Sequence, residues 1–117
     1  MNTLLFRVAA ALCFVAVALG AFGAHALKGT LTANAMSDVW NKAVLYHFIH
    51  AVALLILAAL PGASRAVASL LLAGIFLFSG SLYLLALTNI RWLGAITPLG
   101  GLCFLAGWVS LMVWPPR

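Results

Sequence analysis

Acidic side chains are almost absent from this chain, which has one carboxylate, Asp38, among its 117 residues. A pair of carboxylates for general acid–base catalysis is therefore excluded. A proton antiporter that depends on an intramembrane Asp or Glu is disfavoured, because Asp38 falls in a polar connection between apolar segments. The chain also lacks a phosphate-binding loop, a nucleophile elbow and a metalloprotease motif, so we assign no catalytic residue.

Charge of either sign is scarce as well. Only 6% of the residues are charged and 67% are hydrophobic, with a mean hydropathy of +1.23. A soluble domain of this length could not cover its surface with so few charges. The formal net charge of +5 does not indicate nucleic acid, because the basic residues stand singly near the ends of apolar segments. We expect the partner of this surface to be a lipid bilayer.

Cysteine is rare, and the two present, Cys13 and Cys103, lie far apart without CxxC spacing. Both fall inside apolar segments, where a free cysteine behaves as a small hydrophobic residue. We therefore expect no redox pair.

Four apolar segments fill most of the chain, over residues 4–26, 40–60, 67–87 and 93–114. A helix rises ~1.5 Å per residue, so each segment is long enough to cross a hydrocarbon layer of ~30 Å. The short connections make neighbouring helices antiparallel. The sequence predicts an all-α membrane protein, an antiparallel four-transmembrane-helix bundle in one domain over residues 1–117. The first segment outruns the core of a secretion signal, so we interpret it as a retained helix.

The connections carry recognisable helix ends. Ser37 is a candidate N-cap for the second helix, and Asp38 would sit in its first turn, where the helix dipole favours an anion. Pro61 and Gly62 end that helix, and Asn89 falls just after the third.

Basic and aromatic residues mark the membrane surfaces. Arg7, Arg65 and Arg117 share one surface, and Lys28, Lys42 and Arg91 share the other. The positive-inside rule is thus balanced, and the N-terminal amine gives a slight preference for cytoplasmic termini. Trp40, Trp92 and Trp114 are expected in the aromatic belts at the two interfaces.

Small residues are placed to bring helices together, which matters because lipid tails are as apolar as leucine. The first helix carries Ala16, Gly20 and Ala24 at four-residue spacing. Further packing candidates are Gly80, Gly100, Gly101 and Gly107. We expect close contacts within the bundle, with a homo-oligomer or a larger membrane complex as an alternative use of one stripe.

The polar residues of the apolar segments gather in one half of the membrane. Threading the helices up and down places His25, Tyr46, His47, His50, Ser79, Ser81, Tyr83 and Thr97 in the same leaflet, with Asn89 at its edge. Tyr46, His47 and His50 are predicted to share one broad helix face. His50 falls near the bilayer centre, so we expect a neutral ring bonded to another helix. The expected partners are the other polar residues of this half.

Three interpretations of this polar half remain open. It is a structural core of interhelical hydrogen bonds, a pocket for a small or amphiphilic ligand, or a metal, haem or proton site. The histidines have no nearby carboxylate or thiolate, so we expect no metal and no cofactor.

Several sequence blocks match a known family in order along the chain. They are GAFGAHAL at 20–27, Trp40, Tyr46-x-x-x-His50-Ala51, LFSGSLY at 77–83, TPLGG at 97–101 and Gly107-Trp108. On these blocks the chain resembles the small membrane-protein family called domain of unknown function 423, which includes transmembrane protein 256.

The resemblance implies a four-helix protein of the bacterial inner membrane without an established biochemical activity. The pattern of that family carries residues corresponding to His25, Tyr46 and His50, but relatives often have an amide where this chain has His47. That difference disfavours a three-histidine metal site. The expected function is an accessory or ligand-binding membrane protein, with a small transporter or channel, or a metal- or haem-dependent enzyme, as alternatives.

The small-residue stripe gives a first prediction. Replacing Gly20 with Leu should push the first helix away from its neighbour and lower the melting temperature in detergent. An unchanged melting temperature and elution volume would show that Gly20 faces lipid instead.

Overall fold

The computed structural model describes residues 1–117, and every regular element in it is helical. The α-helices are α1 (Thr3–Ala24), α2 (Lys28–Ala33), α3 (Ser37–Ala59), α4 (Arg65–Gly74), α5 (Ser81–Thr88) and α6 (Thr97–Val113). A π-helical segment, Ile75–Gly80, joins α4 to α5, and a 3₁₀ turn, Arg91–Ala95, precedes α6.

Four helical stretches are long and apolar enough to cross a membrane: Thr3–Ala24, Ser37–Ala59, Arg65–Thr88 and Arg91–Val113. The prediction of an all-α, four-transmembrane-helix protein is confirmed. The third stretch, which we call the third span, is continuous through the π-helical segment.

The helices pack in chain order. α1 lies along α3, the third span lies against α3, and α6 packs on the third span. The two middle stretches consequently bury more residues than the two outer ones. The main apolar core occupies the half of the bundle that contains the α3–α4 turn. Its buried residues are Ala9, Ala51, Leu54, Leu57, Val67, Ala68, Leu71, Ile75 and Phe104.

The connection between α1 and α3 differs from the expected loop. It forms α2, whose Leu31 is buried, and the Asn34 side chain donates a hydrogen bond to the Ala86 carbonyl at 3.0 Å. The prediction of Ser37 as N-cap is wrong: Met36 occupies the cap and Ser37 is the first helical residue. The α2 turn feeds directly into α3, so the helix begins one residue earlier than expected.

Trp40 is not a residue of the aromatic belt. It is only 1% exposed, and its Nε1–H donates to the Leu19 carbonyl at 2.9 Å. Its ring occupies the space beside Gly23, where a Cβ would collide with the indole, and lies 4.9 Å from the Tyr83 ring. A glycine on α1 therefore lets the indole pack inward, and an indole that has a carbonyl partner need not reach the interface.

Part of the small-residue stripe of α1 lies against α3. Ala16 is fully buried, and a Cβ on Gly20 would lie 3.4 Å from Val44 of α3. Ala24 is exposed, so its packing assignment is wrong. Four residues turn a helix by about 400°, so each step rotates the row by about 40° and Ala24 has left the α3 face. Gly23 takes its place.

The glycines of α6 provide the closest approach between helices. A Cβ on Gly100 would overlap the backbone of Leu77 and Phe78, and one on Gly107 would meet the Leu71 side chain at 2.7 Å. A Cβ on Gly101 would make an ordinary van der Waals contact with the Phe78 ring. Gly80 has nothing within 4 Å, so its assignment as a packing residue is wrong.

The contrast between Gly100 and Gly80 gives a matched test. Gly100→Ala should destabilise the protein by about 1–3 kcal/mol, because the added methyl group meets backbone atoms that cannot rotate away. Gly80→Ala adds the same group in open space and should leave stability unchanged or slightly higher. Thermal unfolding of both variants in one detergent measures the difference. Equal melting temperatures would contradict the close approach.

Candidate functional site

The three polar residues of α3 do not share one face. Successive residues of an α-helix point about 100° apart, which is enough to send His47 and Tyr46 to different neighbours. His47 points towards the third span, where its Nδ1 lies 2.7 Å from the Tyr83 hydroxyl. Tyr46 and His50 point towards α6. The expectation of a common face is corrected accordingly.

His50 makes two hydrogen bonds, one as a donor and one as an acceptor. Its Nδ1 lies 2.6 Å from the Tyr46 carbonyl, and the Trp108 Nε1–H donates to its Nε2 at 3.0 Å. A carbonyl only accepts and an indole only donates, so the ring carries its proton on Nδ1 and is neutral. This geometry agrees with the expectation of a neutral ring bonded to another helix.

Trp108 is the functional partner that sequence reasoning missed. It stands eleven residues after Thr97, about 16 Å along α6, far from either interface. A tryptophan at that depth has a buried N–H that needs an acceptor, and this requirement was the available signal. Interface tryptophans have no such need.

Aromatic rings extend from His50 along the same side of the bundle. The His50 and Phe104 rings stack with centroids 3.6 Å apart, and the Phe78 ring lies 5.6 Å from Phe104 and 4.8 Å from Tyr46. Phe104 can approach because Gly74 leaves its ring room on the third span. These contacts form a continuous aromatic wall.

The aromatic wall borders a groove of about 530 Å³ that lies between α3, the third span and α6. It is lined by Tyr46, His50, Phe78, Pro98, Gly101, Leu102, Phe104, Leu105 and Trp108. Leu102 and Leu105 are mostly exposed, so the groove faces the lipid. We call this space the aromatic groove.

Tyr46 supplies the free polar group of the aromatic groove. Its side chain is 39% exposed, and its backbone carbonyl is engaged by His50, but its hydroxyl has no partner within the protein. Tyr46 stands nine residues into α3, about 13 Å from the helix start. An unpaired hydroxyl at that depth is costly in hydrocarbon, so a polar atom of a ligand would be favoured there.

The hydroxyls of the serines and of Thr97 find their hydrogen-bond partners within the bundle. Ser79 donates to the Ala43 carbonyl at 2.8 Å, and Ser81 contacts both the Phe78 carbonyl at 2.9 Å and Thr97 Oγ1 at 2.7 Å. The Ser79 bond joins the third span to α3, and the Ser81 bond joins it to α6. These hydroxyls therefore fix helix positions and do not line the aromatic groove.

Two predicted site residues take no part in the polar contacts between helices. His25 is exposed at the C-terminal cap of α1, and its side chain makes no hydrogen bond. Asn89 is exposed with φ 56°, the left-handed conformation that ends α5. Asparagine adopts this conformation more readily than most residues, so a helix-stop role accounts for it. The structure brings neither residue to the aromatic groove.

His47 retains one unpaired atom. Its ring is only 3% exposed, and Nε2 has no hydrogen-bond partner. No three His, Cys, Asp or Glu side chains come together in a way that could hold a metal ion, and Cys13 and Cys103 are free thiols. The geometry supplies no metal ligands beside the imidazoles, and metal content itself stays a prediction.

Comparisons with known proteins agree with the helical, apolar architecture. The model of the family described as "Protein of unknown function (DUF423)" matches residues 19–101. This chain belongs to that family. It is 49% identical over 114 residues to a UPF0382 membrane protein of Staphylococcus haemolyticus, covering 93% of each chain. It is 46% identical over 105 residues to the UPF0382 membrane protein YwdK of Bacillus subtilis, covering 85% of each. No solved structure matches the chain.

The match places nearly all of the residues described above inside the family region. His50, Tyr46 and Phe78 lie within it, whereas Phe104 and Trp108 lie just beyond its end. The longer alignment with the Staphylococcus haemolyticus relative covers most of the chain. The chain is therefore a multi-pass membrane protein, and its bacterial relatives are also named membrane proteins.

The bond between His50 and Trp108 can be measured by a double-mutant cycle. His50→Leu, Trp108→Phe and the double variant should give a coupling energy of about 0.6 kcal/mol and at most about 1.7 kcal/mol, the mean and the maximum for interhelical hydrogen bonds in a membrane protein. Unfolding of all four proteins in the same detergent supplies the values. A coupling energy of zero would show that the two side chains do not bond.

Proposed function

We propose that this protein is a non-enzymatic, ligand-binding membrane protein of the bacterial inner membrane, with both termini in the cytoplasm, and that the aromatic groove holds an amphiphile. The unpaired Tyr46 hydroxyl on an otherwise apolar, lipid-facing wall is the observation that carries the proposal. Such a wall favours an apolar ligand body, and the hydroxyl favours one polar atom on it.

The shape of the aromatic groove supports a ligand that enters sideways from the bilayer. Pro98 and Gly101 leave a low edge on α6, and the rings of Phe78 and Phe104 form the aromatic wall beside it. A long-chain molecule with a terminal carboxyl, hydroxyl or carbonyl group could lie along the rings and accept the Tyr46 hydroxyl proton in a hydrogen bond.

The apolar packing in the other half of the bundle supports ligand binding better than transport. Below His50, the centre is filled by Leu54, Leu57 and Leu71, which are almost fully buried. A conducting path for a polar solute needs polar groups or water along its whole length. The aromatic groove therefore has an opening to lipid but no polar continuation towards the second surface.

An accessory role is favoured over catalysis. The neutral His50 already uses both ring nitrogens, and the serines donate to backbone carbonyls. None of these groups is arranged as a nucleophile with an adjacent general base. A protein of this kind would hold an amphiphile or present it to another membrane protein.

The test uses a long-chain fatty acid that carries a diazirine and an alkyne, cross-linked to the protein in membranes. Labelling should concentrate on the peptides that contain Tyr46 and Leu102–Leu105 and should fall when unlabelled fatty acid is added. Gly101→Trp should abolish this labelling because the indole fills the aromatic groove. The control Gly80→Trp places the same ring in open space outside the groove and should keep the labelling.

The two variants separate binding from general contact with lipid. Equal labelling in Gly101→Trp and Gly80→Trp, or labelling spread over all lipid-exposed faces, would contradict the proposal. Tyr46→Phe removes only the hydroxyl and should weaken labelling without lowering the melting temperature.

A further inference from the structure

A cleft of about 760 Å³ lies at the end of the bundle opposite to Asp38, between the first turns of α1 and of α4. Leu57 of α3 and Leu60, which caps the end of α3, lie between them. The Asn2 N–H donates to the Ala58 carbonyl at 2.9 Å, which fixes the start of α1 against the end of α3. We call this space the terminal cleft.

The lining of the terminal cleft changes character with depth. Leu5 and Val8 of α1 face Leu72 of α4 at its inner end, whereas Thr3, Ser69 and Arg65 line its outer end. The whole change occurs within about two helical turns, or ~11 Å. On each side of a bilayer the headgroup region adds about 5–8 Å to the hydrocarbon core, so both environments fall within this length. The terminal cleft therefore offers an apolar interior and a polar rim in the order that a lipid presents them.

The charge at this end of the bundle has one sign. Arg65 lines the terminal cleft and Arg7 lies on the neighbouring turns of α1, both exposed. The only acidic side chain, Asp38, begins α3 at the other membrane surface. No acidic side chain lies at this end to pair with these guanidinium groups, and Arg117, beside Gly62 of the cleft, adds a further guanidinium group. The side-chain charge at this end is therefore basic and favours an anion. A basic pocket between transmembrane helices is a recurrent site for anionic lipid headgroups.

The polar rim of the terminal cleft contains hydroxyl groups without a hydrogen-bond partner. The hydroxyls of Thr3 and Ser69 have no hydrogen-bond partner within the protein, although both line the terminal cleft. The Ser64 hydroxyl, by contrast, already accepts from the N–H groups of Ala66 and Val67 at 3.2 and 3.5 Å. The start of α4 is thus capped by the chain itself, and the Arg65 guanidinium and the two free hydroxyls remain available to a ligand, beside Met1 and Asn2, which also line the cleft.

We propose that the terminal cleft is a binding site for a phospholipid with an anionic headgroup. One acyl chain lies between Leu5, Val8 and Leu72, and the phosphate accepts hydrogen bonds from the Arg65 guanidinium. This site is separate from the aromatic groove, lies in the other leaflet, and does not depend on the function proposed for that groove.

Native mass spectrometry of the full chain in a mild detergent tests this assignment. Phosphatidylglycerol and phosphatidylcholine with identical acyl chains are added in equal amounts, and the ratio of their adducts is measured. The wild-type protein should favour phosphatidylglycerol. Arg65→Gln should lower that ratio about fivefold, the contribution of one basic residue near a membrane surface. The control Arg91→Gln removes an exposed cation from the opposite membrane surface and should leave the ratio unchanged.

A second variant tests the apolar part of the terminal cleft. Ser69→Phe fills the cleft and should reduce adducts of both lipids, even if Arg65→Gln prevents folding. Equal adduct ratios in Arg65→Gln and Arg91→Gln would overturn the proposal. Binding of glycerophosphoglycerol, which has the headgroup without acyl chains, as tightly as the whole phospholipid would also overturn it.

The variant Gly101→Trp separates this site from the aromatic groove. It should abolish fatty-acid labelling in the groove while preserving the preference for phosphatidylglycerol. Loss of that preference in Gly101→Trp would place the phospholipid in the aromatic groove and contradict the terminal cleft as its site.

Discussion

A polar atom inside a bilayer must find its partner within the protein or in a ligand, because hydrocarbon offers none. This constraint determines how the four long helices of the chain meet. Ser79 bonds to the backbone of α3, Ser81 bonds to Thr97 at the start of α6, and Trp108 bonds to His50. Each bond joins two different helices. Together they fix the polar half, whereas the apolar half depends mainly on the fit of its side chains.

The two kinds of contact have different consequences for function. Shape-fitting contacts such as Gly100 against Leu77 and Phe78 leave no space between helices. Hydrogen-bonded contacts hold helices at the distance that the side chains require, so space remains beside them. The aromatic groove borders the bond between His50 and Trp108, and it exists where α3 and α6 are joined by long side chains. The polar half thus keeps room for a ligand beside its hydrogen bonds.

Much of the fold follows from the sequence, because the length of an apolar segment and the shortness of a connection are strong constraints in a membrane. The four helices and the burial of His47, His50, Ser79 and Ser81 were predictable on that basis. The rotation of each helix about its own axis was not predictable from the sequence. This rotation decides whether His47 faces Tyr83 or α6, and whether Ala24 or Gly23 meets α3. These outcomes differ by a few tens of degrees of helix rotation. The segments are apolar on nearly all sides, so their sequence pattern does not specify that rotation.

The π-helical segment Ile75–Gly80 gives the third span a tolerance in length that its α-helical parts lack. A π-helical turn holds one residue more than an α-helical turn, so six π-helical residues turn the chain about as far as five α-helical residues. Deleting one residue here and letting the span run as an unbroken α-helix would leave Ser81 near Thr97 and Tyr83 near His47. The same deletion inside α4 or α5 would rotate all that follows by about 100°. A change in length of the third span can therefore be absorbed within Ile75–Gly80 more readily than elsewhere along it.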